Sequence, residues 1–484
     1  MSSIVIETIM GQNRIAVVGD EKPGQIDYFF TERESDWNSY GEIHMGRVEQ
    51  IKPGMQVAFV NFGAEKNGLL HVSDIHGNYE KMPVEKLLKS GQEIIVQIKK
   101  EAVGTKGARL TTKYWLPGHY TVLLPTDDRV YVSKKIRRKD VSENLKEFAE
   151  SVIPEGMGLI LRTEAKDGTH EVIQKEIEYL CSKWRNINRN IHMAPKLLYK
   201  DRGPVINAIR DYYTVNTEEI VLNSEVYLED IREYFKFYFP EDIHKIRMAG
   251  KLNIFEELNL EKQINELYAR KVWLKSGGYI IIDHTEAFHV IDVNSGKFTG
   301  GKDPEETVLK INLEATETIA DQMRLRNLSG IILIDYINIE SEEAKKAIIK
   351  KWHQMLKRDK VRFKVVGFTE LSILQITRKQ QGKSIANINR HICPVCNGTG
   401  EIYNQEAFFY KCLSKLESDM ELLEHNIFKI LISPHLKAVM DDIEYFGTGL
   451  TFNRMLEDFY GVKVNLEVDI NNEFDQILIL PQID

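Results

Sequence analysis

The chain has 484 residues, of which 43% are hydrophobic and 28% are charged, and its formal net charge is −8. These values are typical of a soluble globular protein with about three or four domains. The sequence contains no apolar run of about 20 residues, and its first ten residues lack the basic-then-apolar order of a signal peptide. It therefore predicts a cytoplasmic protein without a membrane span.

Charge is unevenly distributed along the chain. Residues 401–484 contain 6 basic and 16 acidic residues, whereas the part before them is nearly neutral. Because a nucleic-acid enzyme needs local basic surface rather than a basic total, any such site is expected before residue 401. Four cysteines are too few for a disulfide scaffold in a chain of this length, and only Cys393 and Cys396 are spaced as a pair.

Short runs typical of β-strands, separated by glycine turns, occupy residues 41–110. They lie at 41–48, 55–60, 68–72 and 93–98. Short strands at even spacing predict a small barrel. The stretch at 100–112 is basic and would close this barrel.

Two further regions follow the predicted barrel. The first, at about 114–200, has strand-like runs at 120–124 and 158–162 and a helical pattern at 171–188. The second, at 277–378, has the alternating pattern of an α/β domain. Its predicted strands are 279–283, 287–293, 330–337 and 362–367, and its predicted helices are 305–325 and 342–358.

Two strands of this α/β region carry an aspartate near their ends. Asp292 stands two residues before Asn294, so the two side chains would face the same side of a strand. Asp335 follows four aliphatic residues, and we expect its carboxylate to be buried. A carboxylate beside apolar residues is costly unless it is paired or binds a cation. Two of them on neighbouring strands can hold Mg²⁺, which would polarise a phosphodiester and activate water.

Another interpretation of these carboxylates stays open at this level. An aspartate at a strand end commonly caps a turn or a helix, and the pattern alone does not decide between capping and metal binding. Asp283 also follows three isoleucines and is a further candidate.

Several motifs in order resemble those of the ribonuclease E/G family of bacterial endoribonucleases, in particular its shorter ribonuclease G type. The motifs are SGG at 276–278, IDVNSG at 291–296, NLEA at 312–315, LRNLSGI at 325–331 and CPVCNGTG at 393–400. The resemblance implies an Mg²⁺-dependent endoribonuclease that cleaves single-stranded A/U-rich RNA and leaves 5′-phosphate and 3′-hydroxyl ends. It implies roles in rRNA and tRNA processing and in mRNA decay. The family's catalytic residues fall on Asp292, Asn294 and Asp335, with the two aspartates as ligands of Mg²⁺.

The same resemblance implies a multidomain α/β fold. A ribonuclease-H-like domain (1–35 and 205–268) would be interrupted by an S1 barrel of the OB type (36–114) and by a 5′-sensor domain (115–204). A DNase-I-like α/β catalytic domain (269–388), a zinc-link (389–400) and a small C-terminal domain (401–484) would follow.

The S1 barrel would bind single-stranded RNA. Phe59 matches a base-stacking position of the family, and Lys106 matches a contact to the RNA backbone. Leu69 stands where the family has a second aromatic residue, which predicts weaker stacking there. Without the resemblance, a single phenylalanine in a strand would be read as core.

The family also has a pocket that recognises a 5′-monophosphate. Arg162 and Thr163 match its phosphate contacts, Gly118 and Val122 match its wall, and Arg362 matches an arginine that supports it from the catalytic domain. An arginine fork suits a terminal phosphate. Without the resemblance, both arginines would be read as ordinary strand-end charges.

The pair formed by Cys393 and Cys396 has the spacing of a zinc knuckle, but structural Zn²⁺ needs four ligands. Cys181 and Cys412 are isolated in the sequence. The resemblance implies that two protomers share one Zn²⁺, which would make a homodimer, and it leaves open whether dimers pair into a homotetramer. A redox pair, or a third ligand from His391, are the alternatives.

Two other functions compete with the nuclease. One is a non-catalytic RNA-binding protein that keeps the S1 domain and the zinc dimer, and the other is a redox or chaperone-like zinc protein. The presence of Asp292, Asn294 and Asp335 favours the nuclease, since neither alternative requires Mg²⁺-dependent cleavage.

Overall fold

The computed structural model describes residues 2–388 except 20–21, 34–38, 78–81, 103–106, 190–192, 251–252, 286, 297–303, 380–383 and 386–387. Beyond residue 388 it describes 393, 396, 398, 400–401, 404, 407, 410–411, 414–415, 417–418, 427–432, 451, 454, 457–458, 461–469 and 477–481. Lys106, His391 and Cys412 lie outside the described residues. The chain divides into two compact units, 1–388 and 389–484.

The described strands and helices are numbered in chain order. The strands of the first unit are β1 (Ser3–Ile9), β2 (Gln12–Val18), β3 (Ile26–Arg33), β4 (Ile43–Lys52), β5 (Val57–Asn61), β6 (Gly68–His71), β7 (Glu93–Lys100), β8 (Arg109–Thr111), β9 (Leu116–Pro117), β10 (Thr121–Leu124), β11 (Val130–Val132), β12 (Gly158–Leu161), β13 (Lys196–Tyr199), β14 (Glu219–Leu222), β15 (Ile246–Met248), β16 (Lys271–Trp273), β17 (Tyr279–His284), β18 (Phe288–Asn294), β19 (Gly330–Asp335), β20 (Phe363–Phe368) and β21 (Ile373–Arg378). Its helices are α1 (Val84–Leu87), α2 (Lys139–Val152), α3 (His170–Arg189), α4 (Pro204–Tyr212), α5 (Glu225–Tyr238), α6 (Ile254–Glu257), α7 (Glu261–Glu266), α8 (Pro304–Leu325) and α9 (Glu342–Met355). The second unit contains β22 (Ile427–Ile432), β23 (Lys463–Val468) and β24 (Ile477–Pro481).

The first sheet joins the start of the chain to a segment far along it. Its strand order is β15-β14-β1-β2-β3, and β1 pairs in parallel with β14 so that Ile4 lies opposite Ile220. Because side chains alternate along a strand, Ile4 packs into one buried cluster and Val5 into another on the opposite face. The sheet is therefore covered on both faces, and the barrel and the four-stranded sheet described below are inserted in the sequence between β3 and α4, a helix that packs on it.

The predicted barrel is present, and it has five strands. Strands β4-β5-β6-β8-β7 form a sheet that closes because β4 also pairs with β7, and β13 adds to the outside edge of β4. Val60, Leu70 and Val96 are among the apolar residues that fill its interior. Closure removes the free strand edges that would otherwise pair with other chains.

A four-stranded sheet, β11-β12-β10-β9, follows the barrel and packs with α2 and α3. Glu176 of α3 is fully buried and accepts hydrogen bonds from the backbone N–H groups of His119 (2.6 Å) and Thr121 (2.7 Å). Burial raises the pKa of this carboxyl. A Cβ at Gly118 would lie 2.4 Å from the carboxyl carbon of Glu176, so glycine is required there.

The region predicted as α/β is a six-stranded sheet in the order β16-β17-β18-β19-β21-β20. Ile291, Val293, Ile332 and Ile334 share a buried cluster with residues of α8 and α9, which places both helices on one face of the sheet. Ser341 caps α9 by accepting the N–H of Ala344 at 3.2 Å. The sequence predicted these helices and four of the six strands within a few residues, but it missed β16 and β21.

The second unit has a three-stranded sheet in the order β23-β22-β24, parallel between β22 and β23 and antiparallel between β22 and β24. Phe428, Ile430 and Ile432 of the central strand are fully buried. In the part of the chain that the structure describes, no helix is long and apolar enough to span a membrane.

Candidate active site

The two aspartates singled out in the sequence lie side by side. Strands β18 and β19 run in parallel, and their register places Asp292 directly opposite Asp335. Neighbouring strands are about 4.8 Å apart, so two carboxylates at one register position can reach a common cation. The sequence could not predict this pairing from local pattern, because it depends on the crossover through α8.

Both carboxylates are exposed, and the expectation that Asp335 is buried was wrong. Ile332 and Ile334 alternate with Leu333 and Asp335 along β19, and only the isoleucines face the helices. The other face of the sheet is not covered by α8 or α9. The aliphatic run before Asp335 therefore reflects a strand at the centre of the sheet and not a buried carboxylate.

Asn294 touches the carboxylate beside it. Its Nδ2 donates a hydrogen bond to Oδ2 of Asp292 at 2.8 Å. Because Asn294 is two residues after Asp292 in β18, both side chains project from the exposed face of the sheet. Asn294 thus fixes one oxygen of Asp292 and leaves the other oxygen and Asp335 available to a cation.

Asp283, the third candidate from the sequence, is already paired. Its two carboxylate oxygens accept hydrogen bonds from Nε (2.5 Å) and Nη2 (2.8 Å) of Arg270. The hydrogen bond from Arg270 holds the pKa of Asp283 below its usual range. Asp283 is therefore an ion-pair partner in this structure and is excluded from the cation site.

The loop after Asp335 is held by α8 and α9. Nδ2 of Asn312 donates to the carbonyl of Ile337 at 2.8 Å, and its Oδ1 accepts the N–H of Ile337 at 3.1 Å. The hydroxyl of Tyr336 contacts Thr316 (2.7 Å) and accepts a hydrogen bond from Trp352 (3.0 Å). These buried contacts fix the chain direction immediately after Asp335, a role that the sequence did not reveal for Asn312.

The turn after Asn294 packs against the turn at 276–278. A Cβ at Gly278 would lie 2.8 Å from the carbonyl oxygen of Asn294, and one at Gly296 (φ +62°) would lie 2.4 Å from that of Gly277. Glu314 holds the first turn by accepting the N–H of Lys275 at 2.6 Å. The glycines of the two motifs are thus explained by close backbone approach beside the aspartates.

The donor set fits Mg²⁺ better than Zn²⁺. Mg²⁺ takes oxygen ligands, keeps several of its waters and needs only one or two protein carboxylates. Among the described residues, no group of three or more histidine, cysteine, aspartate and glutamate side chains is close enough to hold a metal. Asp292 and Asp335 could therefore hold Mg²⁺ but would be a poor structural zinc site.

The barrel presents a row of partly exposed side chains on three adjacent strands. Phe59 lies opposite Leu69 between β5 and β6, and Leu69 lies opposite Arg109 between β6 and β8. Buried Asp74 accepts a hydrogen bond from Nε of Arg109 at 2.7 Å and another from the ammonium of Lys99. The row combines one aromatic residue with anchored positive charge, and the sequence had not identified Arg109 or Lys99.

Comparison with known proteins gives the family. A model described as "Ribonuclease E/G family" matches residues 115–381, and one described as "S1 RNA binding domain" matches residues 40–113. The chain belongs to the ribonuclease E/G family. The family and the S1 domain predicted from the sequence are thus confirmed, and the chain is an endoribonuclease with an RNA-binding S1 domain.

Named members of the ribonuclease E/G family cover nearly the whole chain. Ribonuclease G of Escherichia coli (strain K12) is 32% identical over 496 residues, which is 99% of this chain and 100% of that protein. Ribonuclease G of Haemophilus influenzae is 31% identical over 493 residues, 99% of each chain. Ribonuclease E of Nostoc sp. is 37% identical over 370 residues, 74% of this chain and 54% of that protein.

In this ribonuclease E/G family member, both terminal nitrogens of the Arg162 side chain donate hydrogen bonds within the protein. Its Nη1 donates to the carbonyl of Gly118 at 2.8 Å, and its Nη2 donates to Oδ1 of Asp211 at 2.6 Å. Thr163 contacts the hydroxyl of Ser133 at 3.0 Å, and Val122 lies partly exposed on β10. Gly118, Arg162 and Asp211 are therefore in one cluster, to which the sequence had not assigned Asp211.

Lys360 links this cluster to the sheet of the aspartates. Its ammonium donates to the carbonyl of Asp211 and lies 3.5 Å from Oε1 of Glu164, and burial lowers its pKa. Burial opposes the charge on Asp211, but Arg210 and Arg162 outweigh it and hold the pKa of that carboxyl well below its usual range. Arg362, the residue predicted to support the cluster, is exposed, and the residue that contacts Asp211 is Lys360.

The two cysteines of the pair lie in the second unit, and neither forms a disulfide. Cys393 is exposed and Cys396 is partly exposed. The backbone N–H groups of Gly400 and Gly398 direct hydrogen bonds at the sulfur of Cys396 and lower its pKa. Such a turn favours a thiolate, which is the form that binds metal.

Proposed function

We propose that this endoribonuclease hydrolyses single-stranded A/U-rich RNA with Mg²⁺ held by Asp292 and Asp335, and leaves 5′-phosphate and 3′-hydroxyl ends. The observation that carries the proposal is the parallel register that sets these two carboxylates opposite each other on an exposed sheet face. We place its work in the cytoplasm, in rRNA and tRNA processing and in mRNA decay, as the family resemblance implies.

The residues of the chain have distinct tasks in this proposal. Mg²⁺, when bound, would polarise the scissile phosphate and lower the pKa of an attacking water. Asp292 and Asp335 hold the ion, and Asn294 orients Asp292 and faces the same side, where it can donate a hydrogen bond to the phosphate. Asn312 fixes the chain beyond Asp335, so the two carboxylates keep their spacing before RNA arrives.

We further propose the family's domain scheme for this chain. The ribonuclease-H-like domain (1–35 and 205–268) would be the first sheet, interrupted by the S1 barrel (36–114) and the 5′-sensor domain (115–204). The DNase-I-like catalytic domain (269–388) would be the six-stranded sheet with α8 and α9. The zinc-link (389–400) and the small C-terminal domain (401–484) complete it. The position of the barrel and the four-stranded sheet in the sequence, between β3 and α4, supports this scheme.

The test of the proposed activity is a cleavage assay on a short end-labelled RNA rich in A and U. We expect internal cleavage in Mg²⁺ and none with a chelator, with a 5′-phosphate on the downstream product. The same RNA annealed to its complement is the matched control and should be cut slowly. Binding without cleavage in Mg²⁺ would instead support the non-catalytic RNA-binding protein.

We propose that the Arg162 cluster senses a 5′-monophosphate. The wild-type protein should cut a 5′-monophosphorylated RNA faster than the same RNA with a 5′-hydroxyl. In Arg162→Gln that ratio should fall to about one, because a forked charge-assisted contact is lost, while cleavage of the 5′-hydroxyl RNA changes little. A ratio of one in the wild-type protein would contradict sensing by this cluster.

We propose that Cys393 and Cys396 share one Zn²⁺ with the same pair of a second protomer. The prediction is one zinc per two chains, and a halved molecular mass by light scattering for Cys393→Ser or after zinc removal. Cys181→Ala is the control, since that thiol is buried in the first unit. One zinc per monomer would point to a third ligand such as His391, and a zinc-free, dithiothreitol-sensitive pair would point to redox chemistry.

A further inference from the structure

An exposed aromatic cluster lies at the edge of the six-stranded sheet. The ammonium of Lys271 is 4.0 Å from the ring centre of Trp273 and 3.6 Å from that of Tyr279. The two rings meet edge to face with centres 5.4 Å apart. Trp273 and Lys271 belong to β16, the edge strand, and Tyr279 to its neighbour β17.

Core packing does not account for Trp273. Its side chain is 62% exposed, whereas Trp352 in the core of the same sheet is fully buried. A cross-strand aromatic pair does stabilise a sheet, and that explains the contact with Tyr279. It does not explain why the largest apolar side chain leaves most of its surface in water on an edge strand.

The register connects this cluster to the aspartates. Trp273 lies opposite Tyr279, and Tyr279 lies opposite Asn294. Residues directly opposite each other in antiparallel strands project from the same face, so Trp273, Tyr279 and Asn294 form a row on the face that carries Asp292. Two strand spacings separate Trp273 from Asn294, which is about 10 Å.

We propose that Trp273 is a base-stacking subsite for a nucleotide of single-stranded RNA next to the cleaved phosphate, and that Lys271 contributes positive charge to the adjoining backbone. The proposal rests on the proposed function, since it takes RNA to be the occupant of the neighbouring site. Proteins hold single-stranded RNA by stacking unpaired bases on aromatic rings beside cationic groups. The cluster offers both chemistries in continuity with Asn294. Trp273 would also supply a stacking position to a protein in which Leu69, and not an aromatic residue, occupies the second stacking position of the barrel.

The test measures binding to an uncleaved RNA. In the full-length Asp335→Asn protein, a short single-stranded RNA is compared with a series in which one base at a time is replaced by an abasic site. One abasic position near the cleavage site should weaken binding about tenfold, the cost of a lost stack. Adding Trp273→Ala should weaken binding of the intact RNA about tenfold and abolish the further loss at that position. Trp273→Phe should largely restore both.

The control variant is Tyr131→Ala, which removes an exposed aromatic residue of another sheet and should leave RNA binding unchanged. Lys271→Gln tests the second part of the proposal. It should reduce the slope of log affinity against log salt by about 0.7, the value for one lost contact to a single strand.

The proposal would be overturned if the abasic substitutions weakened RNA binding as much in the protein that carries Trp273→Ala as in the Asp335→Asn parent. A change in molecular mass with unchanged RNA binding would also overturn it and assign the cluster to contact with a second copy of the chain. Absence of Mg²⁺-dependent cleavage by the wild-type protein would contradict the proposed function alone, because the abasic comparison does not use cleavage.

Discussion

Asp335→Asn and Asp292→Asn should each lower the rate of RNA cleavage in Mg²⁺ by about 10³-fold or more. Each change removes one of the two carboxylates that we propose as Mg²⁺ ligands and that the parallel register sets side by side. An ion that stabilises the transition state by several kcal/mol accounts for a rate factor of this size. Because the two residues act as a unit, the double variant should be little slower than either single variant.

The matched control is Asp283→Asn, on the same sheet but paired with Arg270. It should cut RNA within a few-fold of the wild-type rate. The measurement is single-turnover cleavage of end-labelled RNA, together with the affinity for RNA, which should change little in all three variants. Cleavage by Asp292→Asn at the wild-type rate would remove Asp292 from the catalytic site.

Arg378→Met should reduce the free energy of unfolding by about 3–5 kcal/mol, the usual cost of leaving a buried charge unpaired. Arg378 is 4% exposed and donates to Asp359 at 2.8 Å and 3.3 Å and to the carbonyl of Leu328 at 2.9 Å. Without Arg378, the carboxylate of Asp359 stays buried and has lost its charged partner, although it still accepts the N–H of Val361. Urea unfolding followed by tryptophan fluorescence provides the measurement, since buried Trp352 belongs to the same sheet and helix core.

The double variant Asp359→Asn with Arg378→Met should recover part of this loss, because no charge is then left buried. Arg270→Met removes an exposed ion pair of the same domain and should leave the unfolding midpoint nearly unchanged. Equal shifts for Arg378→Met and Arg270→Met would contradict the argument from burial.

The sequence predicted elements whose signal is local. Helix α8 begins and ends within one residue of the predicted 305–325, because its periodicity, acidic first turn and basic last turn are all read locally. Strand β21 was missed although Leu374 and Ile376 alternate with Gln375 and Thr377. Its last residue, Arg378, looks like surface and is buried only because distant Asp359 neutralises it.

In the candidate site too, the sequence predicted what has a local signal and missed what depends on distant residues. Asp292 and Asp335 were identified from strand pattern and resemblance, but their exposure was not predicted, since nothing local shows which sheet face the helices cover. The contacts of Asn312 with Ile337 and of Lys360 with Asp211 join residues far apart in the chain. Such contacts arise from the fold itself and have no local signature.

The pairing of Ile4 with Ile220 has a consequence for synthesis of the chain. Closing an unstructured loop of about 200 residues costs about 5 kcal/mol, so the barrel and the small sheet are expected to fold first and bring the two ends together. At a synthesis rate of about 5–20 residues per second, the partner strand of β1 leaves the ribosome about 10–40 s after β1 does. During that time the hairpin of β1 and β2 exposes the unpaired aliphatic edge of β1, so this is a stage of synthesis at which the chain is prone to pair with other chains.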